Sequence, residues 1–408
     1  MEALIISHDG ASGDYPGSSD LAYQKAIDDG VDIIDCSVQM SKDEVPFCSP
    51  NADLSGTTTA TTVFLSQSTT IPEIKDREGI YSFDLTWSEI QSLKPQLLSP
   101  YEAPLNRNPS NKNKGKIVTL PEFLELAKQR AVPGILINIE NAPYLASKKG
   151  LDVVGSVITS LNNATFDKQS TQKVLIQSDD SAVLSKFMDF KNYERVLNIM
   201  KEVSGAAPPV AEEVKKYANA IRVFRNAIVL DYPFPVYMSL NYSNLVQVMH
   251  AANISVYVGA LRNEFQNFLF DYYADPYVEL ATLTQTGLDG IITDHPATAV
   301  AYMNSPCANQ KADLPYSIFP IMPGDMFTNA VAAKPPEAAP VVPPMETKDV
   351  VDPPLPPVAK IPDSTSPPAS DATATPPAAP KSSTSEKLVG SVGLIIVALV
   401  GALHILDH

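Results

Sequence analysis

The sequence predicts an α/β fold, a (β/α)8 TIM barrel followed by a disordered Pro-rich tail. Three observations predict it. Eight short β-rich runs recur through the first three quarters of the chain, each continuously apolar, as strands buried on both faces should be. Helical patterns with cap signals lie between many of them, and the span they occupy suits a barrel with insertions. The alternative is a doubly wound open sheet, but the first run is followed by His8, Asp9 and Gly10 rather than by a Gly-rich dinucleotide fingerprint.

In order, the expected strands are Leu4 to Ser7, Asp32 to Val38, Gly134 to Ile139, Val174 to Gln177, Arg195 to Ile199, Ala220 to Phe224, Ile254 to Val258 and Gly290 to Thr293. After the first, Leu21, Ala22, Ala26 and Ile27 share a helical face between the cap candidates Ser18, Ser19 and Asp20 and a stop at Gly30. Residues 52–116, rich in Ser, Thr, Asn and Lys around one helical stretch from Thr86 to Leu93, read as a long insertion after the second strand. Phe123, Leu124, Leu126 and Ala127 follow Thr119 and Pro121, and Leu245, Val246, Val248 and Met249 follow Ser243, repeating the order of cap then apolar face. The barrel is therefore placed at 1–305, with a C-terminal extension at 306–333.

Of 36 prolines in 408 residues, 15 fall between Pro335 and Pro380, so 334–387 reads as a Pro/Ala/Ser-rich stalk appended to a globular body. The net charge of -16 argues against nucleic acid as a partner, which requires a Lys/Arg surface. An anionic ligand would need a local device, such as a metal ion or a helix N-terminus. Three cysteines are too few for a disulfide framework. Cys36 and Cys48 flank the Lys42 to Glu44 turn and either pair across it or stay as buried thiols.

Leu388 to Leu406 is an almost unbroken apolar run behind small and polar residues. It reads as a glycosylphosphatidylinositol (GPI) attachment signal at 388–408 or as a transmembrane helix, and the lack of a basic stop after it favours the signal. Ser382, Ser383 and Ser370 are the attachment candidates. Sequons at Asn163, Asn241 and Asn253 agree with a secreted route. Met1 to Ile6 has no signal-peptide character, so an upstream segment is expected.

Function in such a barrel collects at the C-terminal ends of the strands. The polar residues there are His8, Asp35 and Ser37, Glu140, Gln177 and Ser178, and Asp294 and His295. Carboxylates and a histidine on different strands suit a divalent cation and a phosphoryl oxygen held over one mouth. The competing reading is that Asp35 and Asp294 merely cap the helices that follow.

The segments LIISHDGASGDYPGSSDLAYQKAIDDGVDIIDCSVQMSKDEVPF, FDLTWSEIQSL, VTLPEFLELA, ILINIEN, LIQSDD and GLDGIITDHP, in that order, resemble the glycerophosphodiester phosphodiesterase family. More narrowly, they resemble the plant GPI-anchored proteins of that kind, which carry two tandem domains. The resemblance covers about residues 4–304 and implies a phospholipase C-like phosphodiesterase barrel. This chain then corresponds to the second domain with its tail, lacking an upstream tandem domain; Cys307 has no obvious partner within the chain, and that domain is one candidate to supply it. It implies hydrolysis of glycerophosphodiesters to sn-glycerol 3-phosphate and an alcohol, with Ca2+ or Mg2+, on the outer face of the plasma membrane. His8 would be catalytic, and Asp35 and Glu140 would be metal ligands.

The match departs from the family pattern at several positions. Asp9 stands where the family has arginine, Ser37 where it has a second carboxylate, and Ser49 and Pro50 where it has its second His-Asp pair; Ala142 replaces a lysine. Asp9, Ser37, Ser49 and His295 are the candidate substitutes near the site, His250 lying in an expected helix and His404 and His408 in the tail. The rival expectation is a degenerate, non-catalytic barrel that binds a cell-wall polysaccharide, a lipid headgroup or a protein.

Overall fold

The computed structural model describes residues 3–99, 107–230, 241–262, 272, 275–305 and 342–361. The eight apolar runs form parallel strands at Leu4–Ser7, Ile33–Met40, Gly134–Ile139, Lys173–Ser178, Tyr193–Asn198, Ala220–Val223, Ser255–Leu261 and Gly290–Thr293. They are called strands one to eight below. Each pairs with its sequence neighbour, and strand one pairs with both strand two and strand eight, which closes the barrel. Strand seven runs three residues beyond its expected end, with a register irregularity between Val258 and Leu261.

Because side chains alternate across a strand, one residue of each pair points into the barrel and its neighbour points toward the helices. Ile6, Ile33, Leu136, Leu175, Val196, Ala220, Tyr257 and Ile292, one from each strand, form the buried apolar plug inside. The outward set, including Ile5, Ile34, Ile135, Val174 and Ile221, packs beneath the helices in the larger core. That two-sided burial is why the strands read as unbroken apolar runs.

The helix Asp20–Asp29 starts where Ser19 Oγ accepts the Ala22 N–H and ends at Gly30 in the left-handed region. Leu120–Gln129 opens with a reciprocal capping box between Thr119 and Glu122. Leu245–Ala251 has Asn244 rather than Ser243 at its N-cap, although Ser243 Oγ still accepts the Leu245 N–H at 3.3 Å.

The insertion carries a hairpin, Thr69–Ile71 with Lys75–Gly79, and the short helix Trp87–Gln91. It builds a satellite core from Leu54, Ala60, Ile80, Leu85, Ile90 and Leu93, together with Phe47. Phe47 lies on the short strand Pro46–Cys48, which pairs antiparallel with strand two so that Val38 faces Cys48. In that register Cys36 and Cys48 form a disulfide, with Cα atoms 5.2 Å apart. The open choice between bridge and thiols is thereby settled.

Residues 342–361 lie within the segment read as a stalk, and here the structure differs from that reading. They cross the loops that follow strands five, four and three. Met345 and Val350 are fully buried, the Met345 N–H donates to Gly205 O, and Lys201 pairs with Asp349. Asp352 Oδ2 accepts the Ser181 N–H, and the Ala359 N–H donates to Ala146 O. A Pro-rich chain forms no internal ladder, so its remaining backbone groups are available to neighbouring loops.

Among the described residues no helix is long and apolar enough to cross a membrane. The apolar run 388–408, Cys307, Ser370, Ser382 and Ser383 lie outside the described residues.

Candidate active site

Two residues above the apolar plug, the same alternation yields a polar ring. Asp35, Asn138, Gln177, Asn198, Arg222 and Asp294 follow the plug residues of strands two to six and eight, and His8 follows Ile6 on strand one. Gly259 takes the corresponding seat on strand seven. Glu140 and Ser37 sit one further step toward the mouth.

His8 Nδ1 lies 2.7 Å from Asp294 Oδ1, and Nε2 is 3.9 Å from Asp9 Oδ2. Burial works against the imidazolium, but Asp9, Asp294 and Asp35 outweigh it and raise the histidine to about 9. His8 is therefore charged at neutral pH. Its Nδ1–H is held by Asp294, and Nε2 faces the Asp9 carboxylate.

Asp294 is held by three cationic side chains. Besides His8 it pairs with the Arg107 guanidinium and accepts from Arg262 Nε at 3.1 Å. Burial would protonate it, yet His8, Arg107 and Arg262 hold it well below the ordinary carboxylate range. The reading of Asp294 as a cap is corrected by these partners: His295 occupies the N-cap position of the next helix, Pro296–Met303.

The other carboxylates behave in the opposite way. Burial first, and then the charge of Asp9, pushes Asp35 well above its usual value, although it accepts the Asp9 N–H. Asp9 itself, with φ 54°, accepts from Ser18 Oγ and is likewise raised, chiefly by burial. Glu140 is pushed up to about 7 by burial, with Asp179 and Asp9 adding repulsion, against relief from the Asn138 amide 2.8 Å away and from His8. Asp35 too accepts backbone N–H groups of its neighbouring loop rather than capping the following helix.

A cavity of about 450 Å3 opens beside Glu140, Asn198 and Met200 and is walled on its other side by Asp53, Thr57 and Leu98 of the insertion. The insertion therefore shapes the approach to the site.

A family model, that of the glycerophosphoryl diester phosphodiesterase family, matches residues 8–298. The chain belongs to that family. It is 54% identical over 363 residues to glycerophosphodiester phosphodiesterase GDPDL7 of Arabidopsis thaliana, covering 88% of this chain and 48% of the relative. It is 56% identical over 362 residues to GDPDL6 of the same plant, again over 88% and 48%. The chain spans about half the length of the curated relatives it matches. An Oleispira antarctica phosphodiesterase, solved in complex with the product sn-glycerol-3-phosphate, shares the fold at a TM-score of 0.52 and 17% identity, over 74% of this chain and 98% of that one.

Within this phosphodiesterase family scaffold, the substitute residues fall as follows. Ser49 is buried; its N–H bonds to Ser37 O and its hydroxyl donates to Asn51 O at 3.1 Å, so it serves the hairpin end. Ser37 Oγ accepts from Asn138 at 3.3 Å. The His295 ring packs against Gly13, with Nδ1 3.8 Å from Asp14. Sequence reasoning missed Arg107, Arg222 and Arg262, which alternation could have flagged only for Arg222. Asn163 and Asn253 are exposed, and the Asn241 side chain lies outside the described residues.

Phosphodiesterases of this family generally depend on a divalent metal. Among the described residues no three His, Cys, Asp or Glu side chains converge as a cage. Asp35 and Glu140, whose proton affinities are raised by burial and neighbouring negative charge, have the hard-oxygen chemistry for a cation that keeps waters and takes further ligands from a phosphate. Asp35 on strand two and Glu140 just beyond the end of strand three are the carboxylates that would hold it.

Proposed function

We propose that this chain hydrolyses glycerophosphodiesters to sn-glycerol 3-phosphate and an alcohol, weakly as an isolated domain. The observation that carries this reading is the His8–Asp294 pair, aligned in the ring at the barrel mouth. As an imidazolium, His8 donates its Nε2 proton to the departing alkoxide as the P–O bond breaks. A water oxygen forms the new P–O bond, and its proton recharges the histidine. Asp294 keeps Nδ1–H in place and stabilises the charged ring. Asp35 and Glu140 would hold a divalent cation, Ca2+ or Mg2+, which when bound neutralises phosphoryl oxygens.

The proposed setting is the outer face of the plasma membrane, reached through a GPI anchor. The Cys36–Cys48 disulfide and the exposed Asn163 and Asn253 support an oxidising, glycosylating route. The second reading, a non-catalytic barrel that binds a cell-wall polysaccharide or another surface ligand, is favoured by Ser49, whose hydroxyl is spent on the hairpin.

The deciding assay is release of sn-glycerol 3-phosphate from glycerophosphocholine, with Ca2+, with Mg2+ and with chelator. Wild-type turnover should be metal-dependent and lost in both His8→Ala and Glu140→Ala. Turnover that persists in both variants, or never rises above background, sinks the hydrolase reading.

A further inference from the structure

Arg222 occupies the strand-six seat of the polar ring and is 8% exposed. Its partners are all uncharged: Nη1 donates to Asn198 Oδ1 at 3.0 Å and lies 3.7 Å from Met200 Sδ, and the guanidinium sits 4.8 Å from the centre of the Phe224 ring. Among the described residues it has no carboxylate at ion-pair distance. Arg107 and Arg262, by contrast, both hold Asp294.

A buried cation without a counter-ion is costly, because the desolvation of the charge is not repaid. Here the cost is compounded. Burial and the neighbouring charge of Arg262 pull the guanidinium down to about 10, only partly offset by Glu140 and Asp294. The two groups that hold Arg222, Asn198 and Met200, also line the 450 Å3 cavity beside Glu140. The charge therefore stands immediately behind a wall of this cleft, at Asn198 and Met200.

We infer that Arg222 is an anion seat, and that it takes the phosphoryl oxygens of a phosphate ester lying in the cavity. The seat supplies from strand six the positive charge that position 9, an aspartate, does not supply beside His8. The inference names the binding contact of the site proposed above and rests on that reading for its ligand class, but it needs no turnover.

The test is calorimetric titration of the full chain, in chelator, with sn-glycerol 3-phosphate, inorganic phosphate and glycerol. Wild type, Arg222→Gln, Arg222→Lys and a surface control, Lys216→Gln, are compared. Loss of a charge-assisted contact should weaken sn-glycerol 3-phosphate by about tenfold or more in Arg222→Gln and by a smaller factor in Arg222→Lys. Lys216→Gln should bind as wild type does. Weakening of both anions alike assigns the seat to phosphate itself, and weakening of the ester alone assigns it to the ester in the cleft; glycerol should be insensitive in every variant.

The melting temperature of ligand-free Arg222→Gln should be equal to or above that of wild type, an outcome that a purely structural arginine would not give. An Arg222→Gln variant that fails to fold counts toward a structural arginine, and wild-type anion affinity in Arg222→Lys then overturns the inference, whereas weakened affinity there sustains it. Wild-type binding of neither anion, or equal binding by both arginine variants and wild type, overturns the inference. Binding without hydrolysis leaves the seat standing while the hydrolase reading fails. Hydrolysis with an unchanged KM in Arg222→Gln does the reverse.

Discussion

Strands one to three and strands six to eight each bring buried carboxylate to the same mouth, and the two halves treat it differently. On the first side Asp9, Asp35 and Glu140 crowd one another with few cations nearby, and burial drives all three toward the protonated form. On the other side Asp294 is as deeply buried, yet His8, Arg107 and Arg262 keep it ionised. Each group is a buried carboxylate; what differs is the charge within reach. The mouth is thus polarised, one half attracting protons or cations and the other an anion, with His8 at the seam.

The largest test of that division is at the seam. His8→Ala should lower kcat/KM for glycerophosphocholine by roughly 1000-fold, the typical worth of a positioned acid or base. A loss under tenfold would remove His8 from the chemistry. Asp294→Asn should break the arginine-rich side, costing about 3 kcal/mol in a denaturant titration because Arg107 and the other cations lose their buried partner. In the same variant the His8 resonance should titrate below that of wild type, since a raising charge has gone. An unshifted His8 would break the comparison.

Two smaller tests sharpen the carboxylate side. Replacing Cys36 and Cys48 by alanine unpins the hairpin beside strand two and should cost about 2–3 kcal/mol of stability, read by urea unfolding. Glu140→Gln should have the opposite sign. Because folding raises the Glu140 value to about 7, the wild-type protein is penalised as pH climbs from the unfolded value near 4.5 through 7, where the unfolded chain ionises first. In chelator the variant should therefore be more stable than wild type by about 3 kcal/mol at pH 8 and equal to it at pH 4. His8 acts the other way. Its contribution is complete below pH 6.5 and fades as pH rises through about 9.

The barrel was legible because strands buried on two faces leave unbroken apolar runs, and capping boxes such as Thr119–Glu122 announce helix starts. His8 and Glu140 were legible because each follows an apolar run, and Asp35 because it interrupts one. Arg222 was not, since within AIRV a lone arginine reads as a strand edge until the inward face of Ala220 is known. Arg107 meets Asp294 across 187 positions from inside an irregular insertion, a pairing no local pattern encodes. Composition misplaced residues 342–361 for a related reason. Proline content reports what a segment cannot do within itself, and says nothing of the loops of the barrel to which its carbonyls, Asp352 and Met345 attach.

Gly259 bears on how durable the polarised mouth is. Its φ of 156° and the Ile292 carbonyl oxygen, which would stand 2.4 Å from an added Cβ, bar any side chain from the strand-seven seat. That seat lies between Arg222 and Asp294. An acidic residue there would be the simplest way for mutation to neutralise Arg222, and the backbone forbids it. The positive charge on strand six is thus shielded from its most direct antagonist by crowding alone, a safeguard that would persist even if every polar neighbour were exchanged.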